Sequence, residues 1–441
     1  MCRKCHVKKC ICENRYPFEG AVFTQTNAAP IDENGNKQFN GVMMYHRYPD
    51  GTLKLVAGSP FLTPGQGVGH GNFPANDPLG SQNSIVVDKK NQYLYVTNAG
   101  SNEVSVFKIH HLGLIHLQTL SSGGNFPVSL AIRDRMLYVL NAAGYINFQG
   151  FKICKNGKLI PTQNCALQPP LNYLPTLVNP DTGIQTLQPQ TSISPSQIGF
   201  SPCGRHLIIV RKEGFACPNP SNFDDFSCIS NVAGTGRIDV YALDKKLRII
   251  DCQNPTSNIN TRSPAGRMPF GFVFSKTGRL IVGEFLGTDN SDVTPLDASA
   301  LTSYYLKNDG TLNVISADVP PVDEFDLNMG GLCWTVRYCD FIYGTNTVNA
   351  TVSLYKVDAV GNLKLINPTA ADMTVIDSKA DALDATITSD GRYYYQLSPN
   401  NGKIYAFSIN KSDGSLTYIG EVDNGESLTG QSGLVTCSFK C

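Results

Sequence analysis

The feature that most constrains the fold is a repeat of about forty to fifty residues, present in six complete copies. Each copy contains four short segments of alternating apolar and polar residues, called A to D in chain order, as in "DATITSDGRYYYQLSPNNGKIYAFSINKSDGSLTYIG". Alternation of this kind is typical of half-buried strands, and the Asp-Gly or Asn-Gly dipeptides between C and D are typical of tight hairpins. The repeat therefore predicts the blades of a β-propeller.

The two ends of the chain supply a seventh unit. Residues 20–58 contain segments B, C and D with no A segment before them, and "QSGLVTCSF" near the C-terminus has the pattern of an A segment with nothing after it. Pairing the two completes a blade and leaves no exposed sheet edge. We therefore predict an all-β fold, a single seven-bladed β-propeller over residues 16–441 with Velcro closure by the C-terminal strand. Residues 1–15 are predicted to form a Cys- and Lys-rich tag outside the ring.

Composition excludes several kinds of partner. Lys plus Arg balance Asp plus Glu at 36 each, so no net field attracts nucleic acid or an acidic membrane. No apolar run approaches the ~18 residues of a membrane span, and no apolar stretch follows the basic N-terminus as in a signal peptide. The sequence predicts neither nucleic-acid binding nor a membrane span, and no cofactor. It predicts a location in the cytoplasm or within a particle such as a virion.

The lengths of the connections predict which face carries function. The A–B and C–D turns are short, whereas the long connections run from D to A or from B to C, for example 63–82, 161–195, 214–236 and 287–299. In an up-and-down blade both long types emerge on one side, which we call the loop-rich face; the opposite side is the hairpin-turn face. Because binding residues are usually carried on loops that a rigid frame positions, the loop-rich face is the predicted binding surface.

The last residue of each B segment is predicted to line the channel at the loop-rich face. These residues are Asn27, Asn98, Asn141, Arg211, Glu284, Asn346 and Ser398. The asparagines have a structural alternative, because an Asn side chain caps the turn that follows it. Arg211 and Glu284 have no such turn role. Glu284 could pair with Arg267 at the start of the same blade, in an ion pair that is either structural or ligand-binding.

Several blades resemble those of the lactonase-like seven-bladed propellers, which include propeller-type 6-phosphogluconolactonases and 3-carboxymuconate lactonising enzymes. The resemblance lies in "YVTNAGSNEVSVF", "SPSQIGFSPCGRHL" and "MPFGFVFSKTGRLIVGEF", and uncharacterised members look most similar. It covers residues 18–439. It implies the propeller fold, an active or binding site at the channel mouth, and a small-molecule lactone or sugar acid as the ligand.

Enzymatic members of that family are thought to use a His, a Glu and an Arg on neighbouring blades. Gln197 stands where the family motif has the His, and Gln cannot exchange a proton near neutral pH. The family Glu corresponds to the stretch Arg211-Lys212-Glu213, so the carboxylate is missing or displaced to Glu213. Arg267 matches the family Arg. The resemblance therefore implies a catalytic set that has departed from the family pattern, with Gln197, Arg211 and Glu213 as ligand-binding candidates.

A rearranged catalytic set is the alternative. His70 lies in a D-to-A loop of the loop-rich face, and with Glu284 it could activate water against a lactone carbonyl while Arg267 stabilises the oxyanion. The other interpretation of His70 is an exposed loop residue. Three functions remain open, and we favour the first: a binding or scaffold propeller, a lactone hydrolase or muconate-type cycloisomerase, and a haem electron-transfer protein.

Of the fourteen cysteines, eight fall in local pairs whose spacing permits disulfides. The pairs are Cys154 with Cys165, Cys217 with Cys228, Cys333 with Cys339, and Cys437 with Cys441. Sequence cannot assign the pairing, and buried free thiols are the alternative.

Four more cysteines lie in the predicted tag, at Cys2, Cys5, Cys10 and Cys12. The first two, with His6, fit the C-x-x-C-H pattern of c-type haem attachment, but no blade-derived pocket or nearby Met ligand accompanies them. The four thiols could instead hold zinc, although a single knuckle lacks a second ligand pair. We favour a tag that crosslinks the propeller or directs it to other protein subunits, together with the loop-rich face.

Overall fold

The computed structural model describes residues 16–30, 35–69, 77–167, 194–212, 236–260, 268–285, 299–321, 331–347, 349–423 and 430–439, and the backbone of 177–178 and 185–186. Within these residues the chain is all-β, with no α-helix, and seven antiparallel sheets each contain four main strands in the order A-B-C-D. The predicted seven-bladed β-propeller is confirmed. The described part of the chain contains no helix with the length and apolar character of a membrane-spanning segment.

The strands are numbered in chain order, and each blade is described from its A strand to its D strand. Blade one has β31 (Ser432–Ser438), β1 (Gly20–Gln25), β2 (Gly41–Arg47) and β3 (Leu53–Leu55), with β4 (Phe61–Leu62) also paired to β2. Blade two has β5 (Ile85–Val87), β6 (Tyr93–Asn98), β7 (Glu103–His110) and β8 (Gly113–Ser121). Blade three has β9 (Asn125–Arg133), β10 (Met136–Ala143), β11 (Phe148–Ile153) and β12 (Leu159–Cys165). A separate two-stranded sheet follows, of β13 (Leu177–Val178) and β14 (Gln185–Thr186).

The remaining blades continue the same pattern. Blade four has β15 (Pro195–Phe200), β16 (His206–Arg211), β17 (Arg237–Ala242) and β18 (Ser257–Asn260). Blade five has β19 (Met268–Phe274), β20 (Leu280–Phe285), β21 (Ser299–Leu306) and β22 (Leu312–Val319). Blade six has β23 (Leu332–Tyr338), β24 (Phe341–Asn346), β25 (Thr351–Val357) and β26 (Leu363–Asp372). Blade seven has β27 (Ala385–Ile387), β28 (Tyr393–Ser398), β29 (Lys403–Ile409) and β30 (Leu416–Asp423).

The ring closes as the sequence predicts. The C-terminal β31 pairs antiparallel with β1, with Ala21 opposite Cys437 and Phe23 opposite Val435. The A strands contact one another in the circular order β5, β9, β15, β19, β23, β27, β31 and back to β5. They are therefore the innermost strands and form the wall of the central channel. The predicted Velcro closure is confirmed.

The apolar core lies between neighbouring blades, because alternating side chains give each sheet two buried faces. Phe23 and Met44 of blade one pack in one cluster with Val96 and Phe107 of blade two. Four interfaces also share a polar contact, in which a buried Tyr at the third position of a B strand donates to a carbonyl in the C–D turn of the next blade. The pairs are Tyr95 with Gly157 at 3.1 Å, Tyr138 with Leu247 at 3.0 Å, Tyr343 with Gly414 at 2.7 Å and Tyr395 with Gly51 at 2.8 Å.

The cysteines differ from the local pairs that spacing permits. Cys165 at the end of β12 forms a disulfide with Cys252, which lies 87 residues later in blade four, so the bond to Cys154 is not formed. Cys154, Cys333, Cys339 and Cys437 are free thiols, so Cys333 and Cys339 are not joined. Seven cysteines lie outside the described part of the chain, as does the whole of the predicted tag. These cysteines are Cys2, Cys5, Cys10, Cys12, Cys217, Cys228 and Cys441.

Candidate functional site

Residues 79–83 run through the centre of the ring, and we call them the hub segment. Ser81 Oγ donates to Val128 O of β9 at 2.7 Å. Gln82 N donates to Ser196 O of β15 at 3.0 Å. The hub segment connects blade one to blade two, yet it contacts the innermost strands of blades three and four.

The hub segment also reaches blades five and six. Gln82 Nε2 donates to Thr335 O at 2.9 Å while Gln82 Oε1 accepts from Thr335 N at 3.2 Å. Trp334 Nε1 donates to Ser81 O at 3.0 Å. In blade five, a Cβ on Gly271 would lie only 2.2 Å from Gln82 Oε1, so the strand approaches the hub too closely for any other residue. A segment that contacts four inner strands must lie on the propeller axis.

Among the described residues, four acidic or basic side chains lie around the hub segment at the loop-rich face, and we call them the hub cluster. They are Asp77, Lys212, Asp381 and Asp384. Lys212 directly follows β16; its Nζ donates to Gly80 O and lies 4.8 Å from the ring centroid of Phe270. The side chain of Lys212 is completely buried, so its charge depends on these contacts and on the nearby carboxylates.

The carboxylates of the hub cluster are only partly satisfied by donors. Asp381 Oδ1 accepts from Ser398 Oγ at 2.8 Å, and Asp384 Oδ2 accepts from Gly433 N at 2.7 Å. Asp77 Oδ2 and Asp381 Oδ2 are buried and have no hydrogen-bond partner among the described residues. Buried acceptors of this kind are costly unless a donor reaches them, so the cluster is suited to receive donors from outside the protein.

Burial shifts the ionisation of the whole cluster. It raises the pKa of Asp77 and that of Asp381, each to about 6. Burial, followed by repulsion from Asp77, raises the pKa of Asp384 well above its usual range. Burial also lowers the pKa of Lys212 to about 8, against the attraction of Asp77. Groups that titrate this close to neutral pH can exchange protons with a ligand.

Gln197, the residue at the family His position, is engaged in packing. Its Nε2 donates to Phe272 O at 3.1 Å and its Oε1 accepts from Phe272 N, so the amide joins β15 of blade four to β19 of blade five. The side chain is only 3% exposed. Gln197 therefore performs the same structural task as Gln82, which joins the hub to β23.

Arg211 and Glu284 are buried and contact side chains of their own blades. Arg211 Nη1 lies 3.1 Å from Asp239 Oδ2 in β17. Glu284 accepts from Thr302 Oγ1 at 3.0 Å and from Tyr304 OH at 3.3 Å, both in β21. These contacts place both side chains between a B strand and its C strand.

The predicted asparagines connect strands in a similar way. Asn98 Nδ2 donates to Ser105 Oγ at 2.8 Å, and Asn346 Nδ2 donates to Ser353 Oγ at 2.8 Å, so each ties the end of a B strand to the C strand. Asn141 Nδ2 donates to the main-chain carbonyl of Ser122 at 3.3 Å. Of the three, Asn141 also reaches the turn that follows its strand, through Ile146 O at 3.3 Å, whereas Asn98 makes no side-chain cap. The ligand-binding role of these asparagines stays a prediction.

Three candidate residues fall outside the described part of the chain, namely His70, Glu213 and Arg267. Because two of its three members are not described, the proposed catalytic set of His70, Glu284 and Arg267 stays a prediction. Among the described residues, no group of three or more His, Cys, Asp or Glu side chains is arranged to hold a metal ion.

The hub cluster was not predicted from the sequence. Asp77 and Asp381 lie in connections that have no fixed position in the repeat, so comparison of blades does not select them. Lys212 stands out only as part of the stretch Arg211-Lys212-Glu213. One signal was present, because Asp381 and Asp384 form an Asp-x-x-Asp pair immediately before a predicted A strand, where alternation calls for apolar residues.

Comparison with known proteins places these features in context. No family model matches the chain. A 6-phosphogluconolactonase of Formosa agariphila is 39% identical over 83 residues, which amount to 18% of this chain and 22% of that protein. The chain thus matches about a fifth of the length of this curated relative.

Solved structures align over nearly the whole ring. A putative 6-phosphogluconolactonase from Bacteroides fragilis NCTC 9343 has a TM-score of 0.58 at 13% identity, covering 95% of this chain and 98% of that one. The periplasmic gluconolactonase of Pseudomonas aeruginosa has a TM-score of 0.57 at 12% identity, covering 94% and 99%. This chain has the lactonase-like propeller fold. The resemblance found in the sequence is confirmed. At identities of 12–13% these structures establish the fold only, and the activity has to be inferred from the residues of this chain.

Proposed function

We propose that this lactonase-like propeller binds a small, neutral, polyhydroxylated ligand, such as a sugar lactone, at the loop-rich mouth of its channel. The hub cluster carries the proposal, because Asp77 Oδ2 and Asp381 Oδ2 lack partners among the described residues. Carboxylate oxygens in such positions accept hydrogen bonds from ligand hydroxyls. Above about pH 6 the carboxylates of Asp77 and Asp381 outnumber the one ammonium group of the cluster and repel a phosphorylated or acidic ligand, which favours a neutral one.

Binding is favoured over hydrolysis by the family route. The amide of Gln197 is committed to the main chain of Phe272, and Glu284 is held by Thr302 and Tyr304. An amide engaged in this way offers no base at the family His position, which supports binding. Glu213, the candidate for the family Glu, lies outside the described residues. A scaffold role, in which the N-terminal tag attaches the propeller to other subunits of a particle, is compatible with this proposal and remains a prediction.

Lactone hydrolysis is the second candidate, and one observation favours it. Asp77 and Asp381 have pKa values raised to about 6, which is the range in which a carboxylate serves as a general base near neutral pH. In that case an Asp of the hub cluster, rather than a His, would take a proton from water as it attacks the lactone carbonyl.

A ligand panel tests both candidates. Saturation-transfer NMR would compare neutral sugar lactones and muconolactone with gluconate and 6-phosphogluconate, and ring opening would be followed in the same samples. We expect the neutral members to bind and the phosphorylated ones to bind at least about tenfold more weakly. Asp381→Asn should weaken binding about tenfold. The control Asp358→Asn, in an exposed C–D turn on the opposite face, should leave binding unchanged.

The outcomes separate the two functions. Binding without ring opening supports a binding propeller, whereas ring opening that is lost in Asp381→Asn and kept in Asp358→Asn supports the hydrolase. If no member of the panel binds, or if the two variants behave alike, the hub cluster is a structural feature and the proposal is wrong.

A further inference from the structure

Two cavities of similar size open on the hairpin-turn face, each between neighbouring blades. One, of about 430 Å³, is formed by the A–B turn of blade four and the A–B and C–D turns of blade five. The other, of about 460 Å³, is formed by the A–B turns of blades two and three and the C–D turn of blade three. Each cavity is formed by the A–B turns of two neighbouring blades and the C–D turn of the second blade. The two cavities therefore have equivalent backbones and differ in their side chains.

The two cavities differ in charge. The first, which we call the basic cavity, has no carboxylate among the described residues that line it, whereas Asp88 and Asp134 line the second, which we call the mixed cavity. The cationic lining residues of the basic cavity are Arg205, Lys276, Arg279 and Lys307. Asp309 lies close to Lys307 and His206 in the same C–D turn, but the four cations outnumber it. A concave surface with an excess of positive charge concentrates negative ions, so the basic cavity attracts anions.

Two guanidinium groups of the basic cavity are held by neighbouring residues. Arg205 Nη2 donates to Asn308 Oδ1 at 2.7 Å. Arg279 Nε donates to Val360 O at 2.7 Å, and its guanidinium carbon lies 4.6 Å from the ring centroid of Tyr305. Groups that are already ordered lose less conformational entropy when they bind an oxyanion.

Cys203 is exposed in a braced turn at the same cavity. Gly204 N donates to Ser201 O at 2.9 Å, and Arg133 of blade three donates to the same carbonyl at 3.2 Å. Burial raises the pKa of the Cys203 thiol, but hydrogen bonds with Ser201 and Arg205 and the charge of Arg205 outweigh it and bring the pKa below its usual value. The thiol is thus more easily ionised than an ordinary cysteine, and the thiolate is the nucleophilic form.

His206 supplies an independent sign of a ligand at this cavity. It lines the cavity and is only 3% exposed, yet its Nδ1 has no hydrogen-bond partner among the described residues. Burial lowers the pKa of His206, and the positive charge of Arg205 lowers it further. The imidazole is therefore neutral near pH 7. A buried ring nitrogen without a partner lacks a hydrogen bond that buried polar atoms usually make, so it is available to a hydroxyl group of a ligand in the cavity.

The geometry points to a binding site for a small phosphate-class dianion in the basic cavity, held by Arg205, Arg279 and Lys307, with Cys203 as a nucleophilic thiol at its rim. Phosphate oxygens match the planar donors of Arg and the point charge of Lys. The site lies on the face opposite the hub cluster and does not depend on the proposed function.

The cysteine provides the means to detect the anion. With an aromatic disulfide reagent, the Cys203 thiolate attacks one sulfur, a new S–S bond forms to the protein, and the S–S bond of the reagent breaks. The second half of the reagent leaves as a thiolate with the electron pair. Cys203 is thereby oxidised to a mixed disulfide and the departing half is reduced, so the exchange is balanced without another reactant.

The experiment compares Cys203 with Cys154, which lines the mixed cavity, in the full chain. Each is labelled by a dianionic disulfide, 5,5′-dithiobis(2-nitrobenzoate), and by the neutral 4,4′-dithiodipyridine, and the modified peptides are quantified by mass spectrometry. We expect the ratio of anionic to neutral labelling rates to be at least about tenfold higher at Cys203 than at Cys154. Inorganic phosphate and glycerol phosphate are added in separate samples, and each should slow the labelling of Cys203. A control sample contains chloride at the same ionic strength and should show no such slowing.

Matched substitutions test the charges. Lys307→Gln should reduce the ratio at Cys203 about threefold or more, whereas Lys155→Gln in the mixed cavity should leave it unchanged. Both lysines lie in C–D turns, and near-UV circular dichroism would confirm that the variants fold. Equal ratios at the two cysteines, or equal protection by chloride and phosphate, would overturn the proposal. Protection by one phosphate compound alone would identify which source of the anion the cavity accepts.

Discussion

Arg211 and Lys212 are neighbours in the chain, but their side chains belong to two buried charge clusters of opposite balance. Arg211 lies within blade four, where Asp239 is 3.1 Å from Arg211 and 3.8 Å from Arg237. Lys212 lies in the hub cluster with the carboxyl groups of Asp77, Asp381 and Asp384. In the first cluster two guanidinium groups lie close to one carboxylate, and in the second three carboxyl groups lie around one ammonium group.

The difference in charge balance indicates a structural role for the blade-four cluster and a ligand-binding role for the hub cluster. In blade four, the carboxylate is enclosed by the strands that carry its partners, which is the arrangement of an ion pair that holds β16 to β17. In the hub cluster, two carboxylate oxygens remain without partners among the described residues, and burial raises the pKa values of the carboxyls to near neutrality. Asp239 Oδ1 also lacks a hydrogen-bond partner among the described residues, but each oxygen of Asp239 lies within 4.0 Å of a guanidinium group. Close ion pairs therefore mark the structural cluster, and the candidate site is the cluster in which the carboxyl groups outnumber the cation.

The largest effect is expected from Asp239→Asn, which removes the carboxylate that Arg211 contacts. We expect the free energy of unfolding to fall by about 3–5 kcal/mol, because the buried guanidinium of Arg211 then loses its ion pair with Asp239. Asp384→Asn in the hub cluster should change it by less than about 1 kcal/mol, since the amide oxygen can still accept from Gly433 N. Urea unfolding of both variants measures the contrast. Similar losses in the two would abolish the distinction between the clusters.

A smaller effect is expected in the pH dependence of stability. The pKa of Asp381 is about 6 in the folded protein against 3.8 for an unburied Asp, so between these values the folded state binds more protons than the unfolded state. Its contribution is therefore fully present below pH 3.8 and is lost as pH rises through about 6. Asp381→Asn should remove this decline, which amounts to roughly 3 kcal/mol.

The measurement is the difference in unfolding free energy between wild type and Asp381→Asn at several pH values from about 3.5 to about 7.5. Carboxyl groups outside the hub cluster titrate equally in both proteins and cancel in that difference, whereas Asp77, which is coupled to Asp381, contributes to it. A difference that stays constant across the range would show that Asp381 ionises normally in the fold.

The smallest effect concerns uncharged contacts of the hub. Gln82→Ala deletes both hydrogen bonds to Thr335 and should cost about 2–3 kcal/mol, because it leaves a buried N–H and carbonyl without partners. Gln118 makes the same pair of bonds to Leu159 between blades two and three, at 3.1 and 2.8 Å, but nearer the rim. Gln118→Ala should cost only about 1 kcal/mol, since water can replace the amide there. Equal losses, measured by urea unfolding, would mean that the hub contributes no more to stability than the rim.

The fold could be predicted from sequence because its determinants are local. Alternating strands and hairpin dipeptides recur within each unit, and even the closure by β31 follows from a missing and a surplus segment. The hub could not be predicted, because Gln82 and Thr335 are 253 residues apart and no repeat position marks either of them. The same holds for the disulfide of Cys165 with Cys252, where spacing suggested a nearer partner.

The site was predicted less well for a related reason. The ends of the B strands indicated Arg211 and Glu284, but their side chains contact their own blades. One residue further along, the alternation of a strand turns the side chain of Lys212 toward the hub. A shift of one position therefore separates a structural residue from a member of the candidate site.

The hub segment has a consequence for the order in which the protein assembles. Residues 79–83 leave the ribosome before blade two, but their partner Thr335 in blade six is synthesised 253 residues after Gln82. The contacts of the hub segment with blade six therefore cannot form until most of the chain has been synthesised, and the first blades lack their complete central contacts until then. Contacts this distant in sequence slow folding, so completion of the hub and of the ring should coincide in one late, cooperative step.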